Sequence, residues 1–219
     1  MKSDFLKNSI IAHRGIFDNK KVIENTIPAF KKAINKGYTI ELDVHLTKNN
    51  KVVVFHDDTL ERLTNDKGAI KDKTLDELRK IKLLNGDTIP TLEEVLILVD
   101  SKVPLLIELK NSNGFMLEKE VAKILDNYKG EFAIQSFDPR TILWFRLFRK
   151  KYIRGLLISP KTFKIRMINT CKPDFINVNK TLLDEKFIKN YKGIKLAYTI
   201  DKNEKDKYSN KCDNMICNI

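Results

Sequence analysis

The chain alternates short apolar runs with longer amphipathic segments. Eight runs have the length and composition of strands: IIAH (10–13), TIELDVHLT (39–47), KVVVFHD (51–57), PLLIELK (104–110), EFAIQSF (131–137), RGLLIS (154–159), DFINVN (174–179) and KLAYTI (195–200). Four of the intervening segments place apolar residues at helical spacing: 24–37, 91–101, 115–130 and 138–152. This alternation predicts a parallel sheet covered by helices.

Helix boundaries in the sequence agree with this pattern. Asn25 or Thr26 can cap the first helix, Pro28 suits its opening turn and Gly37 its end, and Gly130 has the same place after KILDNYK (123–129). Eight strands favour a (β/α)8 TIM barrel over an open doubly wound sheet. The glycine-rich turn of dinucleotide-binding sheets is also missing after the first strand.

The third strand departs from the alternation. Only KNN (48–50) separates it from the second strand, and the residues after it, 57–90, are polar and longer than an ordinary connection. We therefore expect one barrel domain over residues 1–219, with a small insertion at 57–90 after the third strand.

Composition narrows the class of protein. Of 219 residues, 42% are hydrophobic and 32% charged, and no apolar run reaches the length of a membrane span. The N-terminus lacks a signal-peptide pattern, which predicts a cytoplasmic protein. Cys171, Cys212 and Cys217 match neither a disulfide framework nor a zinc knuckle, and we interpret them as reduced packing residues.

The net charge of +12 attracts phosphates, anionic lipids or nucleic acids. The lysines are scattered along the helical segments, as expected of a solvated surface, and no nucleic-acid-binding motif is present. We therefore expect no nucleic-acid partner. The sequence leaves the oligomeric state open.

Polar residues cluster at the carboxyl ends of the strands, where parallel barrels build their sites. They are His13, Arg14, Glu41, Asp43, His56, Glu108, Lys110 and Gln135. Glu41 and Asp43 share one face of a strand, and Glu108 on another strand can supply a third carboxylate. Such a set of oxygen ligands suits one divalent ion, Mg²⁺ or Ca²⁺. His45 lies too far along its strand to share that ion and is expected at the rim.

The remaining groups suit phosphodiester chemistry. His13 and His56 can act as base and acid near neutral pH, although the sequence does not say which is which. Arg14 and Lys110 can bind phosphate oxygens. Together with a carboxylate-held ion, these residues indicate phosphodiester cleavage.

The chain resembles the glycerophosphodiester phosphodiesterase family. The segments behind the resemblance are HRG (13–15), ENTIPAF (24–30), 40–68, IPTLEEVL (89–96), LIELK (106–110), IQSFDP (134–139) and YTIDKNE (198–204). The resemblance implies a (β/α)8 barrel with a small insertion after the third strand. It also implies metal-dependent release of glycerol 3-phosphate from a glycerophosphodiester, by histidine acid/base catalysis through a cyclic glycerol phosphate.

The resemblance assigns roles to individual residues. His13 and His56 match the acid/base pair, Glu41, Asp43 and Glu108 the metal ligands, and Arg14 and Lys110 the phosphate contacts. Supporting roles fall to Glu24, which we expect to orient the first loop, to Gln135, and to Tyr198 in the pocket wall.

Two other readings stay open. One is a phospholipase-like diesterase acting on lipid at a membrane surface, for which ILWFRLFRKKYIR (142–154) offers mixed aromatic and basic residues. We favour instead a barrel helix with Leu143 and Leu147 packed on the sheet, so that membrane association is possible but not favoured. The other is a non-catalytic phosphate-binding barrel, which would need neither the carboxylates nor the histidines.

Overall fold

The computed structural model of the protein describes residues 4–110, 113–161 and 165–219. Its strands are β1 (Ile11–His13), β2 (Thr39–Leu46), β3 (Val52–Val54), β4 (Leu105–Leu109), β5 (Phe132–Ser136), β6 (Ile153–Ile158), β7 (Phe175–Asn179), β8 (Ile194–Ile200) and β9 (Asn214–Cys217). Its α-helices are α1 (Phe5–Asn8), α2 (Ile27–Asn35), α3 (Leu75–Lys80), α4 (Leu92–Val99), α5 (Met116–Leu125), α6 (Pro139–Phe148), α7 (Ile165–Cys171), α8 (Lys186–Lys189) and α9 (Lys205–Tyr208). Short 3₁₀ turns lie at Ile70–Asp72, Asn113–Phe115, Lys180–Leu182 and Lys202–Glu204.

The sheet closes on itself as a parallel barrel. Its order is β1-β9-β8-β7-β6-β5-β4-β2, and β1 also pairs with β2, which completes the ring. Every pairing within the ring is parallel. The predicted (β/α)8 TIM barrel is therefore confirmed.

Two strand assignments made from the sequence were wrong. β3, predicted as the third barrel strand, pairs antiparallel with β2 and lies outside the ring. The connection of five residues (47–51) permits a hairpin but not the crossover that parallel neighbours need. The missing ring strand is β9, which lies between β8 and β1. With four residues between polar segments, β9 gives little periodic signal.

The predicted insertion has its own apolar cluster. Its members include Leu60 and Ile70, Leu78 on α3, and Phe55 just before the insertion, all buried together with Ile23 of the first loop. Because the same cluster contains residues of the first loop and of the insertion, the two segments are packed together beside the barrel mouth.

Alternation along the strands divides the barrel interior into two levels. Leu106, Ala133, Phe175 and Leu196 belong to one cluster with Phe5 and Leu6 of α1. Phe175 fills so much of this space that a Cβ on Gly155 would lie 2.1 Å from its ring. Glu108 lies two residues after Leu106 on β4 and on the same face of the strand. An apolar floor thus supports a polar level at the carboxyl ends of the strands.

Helix caps agree with the sequence in most places. Thr26 caps α2 through the Ala29 N–H, and Thr91 forms a capping box that begins α4. Gly37 follows α2 with a φ of 67°, a conformation that glycine adopts without strain. The expectation that Gly130 ends the helix predicted over 115–130 was wrong. That helix, α5, already ends at Leu125.

Helix α6 is the barrel helix that the sequence predicted, but its last turn differs from expectation. Ile142 and Phe145 are buried, whereas Leu147 and Phe148 are 58% and 59% exposed. The expectation that Leu147 packs on the sheet was therefore wrong. Since α6 runs from the end of β5 back to the start of β6, this turn lies at the amino ends of the strands. Among the described residues, none of the helices is long and apolar enough to cross a bilayer.

Candidate active site

Three buried carboxylates meet at the carboxyl end of the barrel. Glu41 and Asp43 come from β2, and Glu108 comes from β4, where it is the register partner of Asp43. One carboxylate oxygen from each residue lies within 4.8 Å of the others. The structure thus brings together the three residues that the sequence proposed as ligands of one ion.

Two cations lie against this cluster. Lys110 Nζ is 2.6 Å from an oxygen of Asp43 and 2.5 Å from one of Glu108. Arg14 Nε is 3.3 Å from the other oxygen of Asp43, and its Nη1 donates to Glu24 at 2.7 Å. Both predicted phosphate contacts therefore lie at the rim of the carboxylate cluster.

The cations do not neutralise all three carboxylates equally. Burial, then the charges of Asp43 and Glu108, raise the pKa of Glu41 well above its usual range. Burial raises the pKa of Glu108 to about 7 although Lys110 opposes the shift. Burial also acts to raise the pKa of Asp43, but Lys110 and Arg14 outweigh it and hold that pKa below its usual range. The ionised forms of Glu41 and Glu108 thus lack sufficient positive charge nearby, and a further cation would favour them.

The two strand-end histidines flank the cluster. His13 ends β1, opposite Glu41 in register, and its Nδ1 lies 2.8 Å from Asn218 Oδ1. His56 follows β3, and its Nδ1 lies 2.5 Å from an oxygen of Asp57. Burial, then the positive charge of Arg14, lower the pKa of His13 to about 4. Burial likewise lowers the pKa of His56.

His45 has a different position from the other two histidines. It is only 7% exposed, and its Nε2 lies 3.2 Å from the backbone oxygen of His56. His45 thus contacts the backbone of the loop that carries His56. This position lies beside the carboxylate cluster, where the sequence predicted His45.

Glu24 connects the first loop to the insertion. Besides Arg14, it accepts hydrogen bonds from Asn19 at 2.8 Å and from Arg62 at 2.7 and 3.1 Å. Arg62 also donates to Asp57, the partner of His56. These hydrogen bonds are contacts through which Glu24 could orient the first loop. Arg62 of the insertion is connected to Arg14 through Glu24 and to His56 through Asp57.

Gln135 and Tyr198 line other sides of the barrel mouth. Gln135 Nε2 donates to Glu41 at 3.4 Å, and its oxygen accepts from Asn177 at 2.9 Å. The Tyr198 hydroxyl donates to the Ile158 carbonyl at 3.0 Å, and its ring meets Phe137 edge to face. Burial, then the nearby charge of Glu108, raise the pKa of Tyr198.

The sequence reading missed several polar residues of the site. Asn25 donates to Asp43 at 2.9 Å, while Asp57, Arg62 and Asn218 form the contacts described above. Asp57 directly follows His56 and could have been included on that ground. Arg62 lies within the polar insertion, and Asn218 lies beyond the last strand that the pattern predicts.

The fold and this site define a barrel enzyme. Carboxylates, histidines and cations gathered at the carboxyl ends of (β/α)8 strands are the arrangement in which barrel enzymes carry their chemistry. The profile of the glycerophosphoryl diester phosphodiesterase family matches residues 13–214. A glycerophosphodiester phosphodiesterase of Caldanaerobacter subterraneus subsp. tengcongensis is 36% identical over 220 residues, 91% of this chain and 88% of that protein. The chain belongs to the glycerophosphoryl diester phosphodiesterase family and, with it, is a phosphodiester hydrolase.

Solved structures share the fold. A glycerophosphodiester phosphodiesterase from Thermotoga maritima is 27% identical, with a TM-score of 0.79 over 96% of this chain and 95% of that one. A phosphodiesterase from Oleispira antarctica, solved in complex with the product sn-glycerol-3-phosphate, is 23% identical, with a TM-score of 0.85 over 99% of this chain and 95% of that one. Both agree with the closed barrel described above.

Proposed function

We propose that the protein hydrolyses glycerophosphodiesters to glycerol 3-phosphate and an alcohol, with a divalent ion and with His13 and His56 as acid and base. The observation that carries this proposal is the buried cluster of Glu41, Asp43 and Glu108 between these histidines and two cations, in a chain of this family. A relative named glycerophosphodiester phosphodiesterase aligns with 91% of the chain.

The three carboxylates suit a divalent ion. Glu41 accepts hydrogen bonds from the Arg14 backbone N–H at 3.2 Å and from Gln135, which are uncharged donors. Buried carboxylates without a full complement of cations are costly, so a bound cation would stabilise the cluster. Three oxygen donors favour Mg²⁺ or Ca²⁺ over softer metals. When bound, such an ion supplies positive charge that stabilises the phosphoryl group during displacement.

The cations suit the phosphodiester. An ammonium has three donors, and Lys110 directs two of them at Asp43 and Glu108, which leaves a third for a phosphate oxygen. The guanidinium of Arg14 is held from behind by Glu24. A clamp that is already fixed in place loses little side-chain entropy when the anion binds.

The histidines suit proton transfer in a two-step displacement. In the first step the glycerol 2-hydroxyl attacks phosphorus, one histidine takes its proton and the other protonates the departing alcohol. In the second step water opens the cyclic phosphate, and the two histidines exchange roles. Burial lowers the pKa values of both rings and so favours their neutral forms in the free protein. The ring that acts as the acid would gain its proton on substrate binding or from solvent.

The exposed turn of α6 disfavours an intact bilayer lipid as substrate. Leu147 and Phe148 lie beside Lys150 and Lys151 and are the aromatic and basic segment that suggested a membrane surface. They lie at the amino ends of the strands, away from Glu41 and its neighbours. A membrane bound there would face the end of the barrel opposite the site.

Release of glycerol 3-phosphate tests the proposal directly. The substrates are glycerophosphocholine and glycerophosphoethanolamine, each assayed with Mg²⁺, with Ca²⁺ and with chelator. We expect metal-dependent release that Glu41→Ala and His13→Ala reduce by at least about 100-fold. Glu120→Ala, which removes a carboxylate paired with Lys123 outside the barrel mouth, serves as the matched control and should retain full activity. Release that persists in chelator would overturn the metal requirement, and no release from folded protein would overturn the proposed substrate.

A further inference from the structure

We propose that Asn218 is a positioning residue that fixes the tautomer of His13, so that His13 enters the reaction as the proton acceptor. The inference deepens the proposed function and rests on it for the reaction itself. Its structural half, the tautomer, can be measured without any turnover.

Asn218 is held between two ring-closing strands. It directly follows β9, and its backbone N–H donates to the Ile200 carbonyl at the end of β8 at 3.0 Å. Its side-chain amide lies between Asp201 and His13. Nδ2 is 2.8 Å from Asp201 Oδ1, and Oδ1 is 2.8 Å from His13 Nδ1.

The chemistry of these three groups permits one arrangement of protons. The carboxylate of Asp201 accepts hydrogen bonds and donates none, so the NH₂ group of Asn218 must face it. The amide oxygen of Asn218 then faces His13, and an amide oxygen also only accepts. Nδ1 of His13 must therefore carry the hydrogen. In a neutral imidazole this leaves Nε2 with the lone pair, which is the form that takes a proton.

His56 has a partner of a different kind. Its Nδ1 faces the carboxylate of Asp57, which Arg62 holds in turn through its Nε at 2.5 Å. A carboxylate stabilises a protonated imidazole, whereas the amide of Asn218 adds no charge beside His13. The charges of Arg14, Asp43 and His56 also act on His13. With these partners, His13 is suited to accept a proton and His56 is suited to donate one.

The assignment gives a balanced reaction. Nε2 of His13 takes the proton of the glycerol 2-hydroxyl while the oxygen of that hydroxyl forms its bond to phosphorus. His56 gives a proton to the alcohol oxygen as the bond from phosphorus to that oxygen breaks. Water then attacks the cyclic phosphate and passes a proton to His56, while His13 returns its proton to the glycerol oxygen that leaves phosphorus.

The tautomer can be read by nitrogen NMR of the imidazoles. The chain has only three histidines, so single His→Gln variants assign each ring in ¹⁵N-labelled protein. We expect His13 as the Nδ1–H form. His45, whose Nε2 faces a backbone oxygen, should give the opposite, Nε2–H form in the same spectrum and serves as an internal reference.

Two substitutions test the relay from either side. Asn218→Leu removes the acceptor, so the His13 resonances should move toward a mixture of tautomers and kcat should fall about 10- to 100-fold, with KM changed less than about threefold. Asn218→Asp keeps an acceptor toward Nδ1 and should keep the Nδ1–H form, but its charge favours a protonated ring, so the rise of kcat with pH should shift to higher pH than in the wild type. Asp201→Asn lets the amide turn either way and should also give mixed tautomers.

Asn214→Ala is the matched control. Asn214 begins β9, the strand that Asn218 follows, and donates to the Leu6 and Ser9 carbonyls, so its loss weakens the fold nearby without touching His13. Thermal unfolding checks that all variants are folded. A His13 ring in the Nε2–H form in the wild-type protein, or an Asn218→Leu variant with unchanged kcat, would overturn the inference. An inactive wild-type protein with the expected His13 tautomer would instead count against the proposed substrate.

Discussion

Glu24→Gln removes a buried charge while keeping the shape of the side chain. Glu24 is 3% exposed and accepts from Asn19, Arg14 and Arg62. Burial acts to raise the pKa of Glu24, but hydrogen bonds from Arg62 and the charge of Arg14 outweigh it and lower that pKa to about 2. The substitution therefore tests how much the charge of this carboxylate stabilises the fold.

The magnitude follows from linkage. A pKa lowered from 4.5 to about 2 means that the folded state favours the ionised form, which corresponds to about 3 kcal/mol of stability at pH 7. Because the pKa is lowered on folding, this stability is present above the unfolded-state pKa and is lost as the pH falls. Near pH 3 it should have decreased to about 1.4 kcal/mol.

Urea unfolding of wild type and Glu24→Gln at pH 7, 5, 4 and 3 measures the difference in the free energy of unfolding. The expected difference is largest at pH 7 and decreases toward pH 3. Glu120→Gln is the control, since Glu120 pairs with Lys123 on the outside of α5 and should change stability by less than about 1 kcal/mol. A Glu24→Gln difference that stays constant from pH 7 to pH 3 would refute the reasoning, because the loss would then not arise from ionisation.

Three further variants have defined outcomes. Gly15→Ala should lower the free energy of unfolding by about 2 to 4 kcal/mol in urea, because Gly15 has a φ of 83° and a Cβ would lie 2.9 Å from the backbone of Ala29; an unchanged value would contradict that packing. Arg62→Ala should lower kcat about tenfold, since it frees the partner of His56, and an unaltered kcat would show that the insertion does not act on the site. Replacing Leu147 and Phe148 together by Ser should change glycerol 3-phosphate release by less than about twofold with anionic vesicles present, whereas a large loss would favour the membrane alternative.

The fold could be predicted because its signal is repeated. Four segments with helical spacing lie between strand-like runs, so an error in one strand leaves the fold class intact. The run KVVVFHD misled because apolar composition does not distinguish a barrel strand from a hairpin strand. The four residues of β9 were missed because a strand this short offers no periodicity.

The carboxylate cluster could be predicted because each member is anomalous in its own strand. An ionisable residue inside TIELDV or LLIEL needs a partner wherever the sheet is covered. Arg62 and Asn218 are not anomalous where they stand, since both lie in polar segments. Asn218 is brought to the site by closure of the ring, and Arg62 is brought there by packing of the insertion. The local sequence pattern predicts neither of these contacts. The cytoplasmic location and the single-domain organisation stay predictions.

Closure of the ring by β9 also sets an order of events during synthesis. The His13–Asn218 hydrogen bond joins positions 205 residues apart in the chain. While the ribosome still holds the last strand, β1 has one neighbour in the sheet and an unpaired edge, and His13 lacks the group that orients it. Contacts this distant in sequence form late and slowly. The protonation pattern of the site therefore forms only when the ring closes.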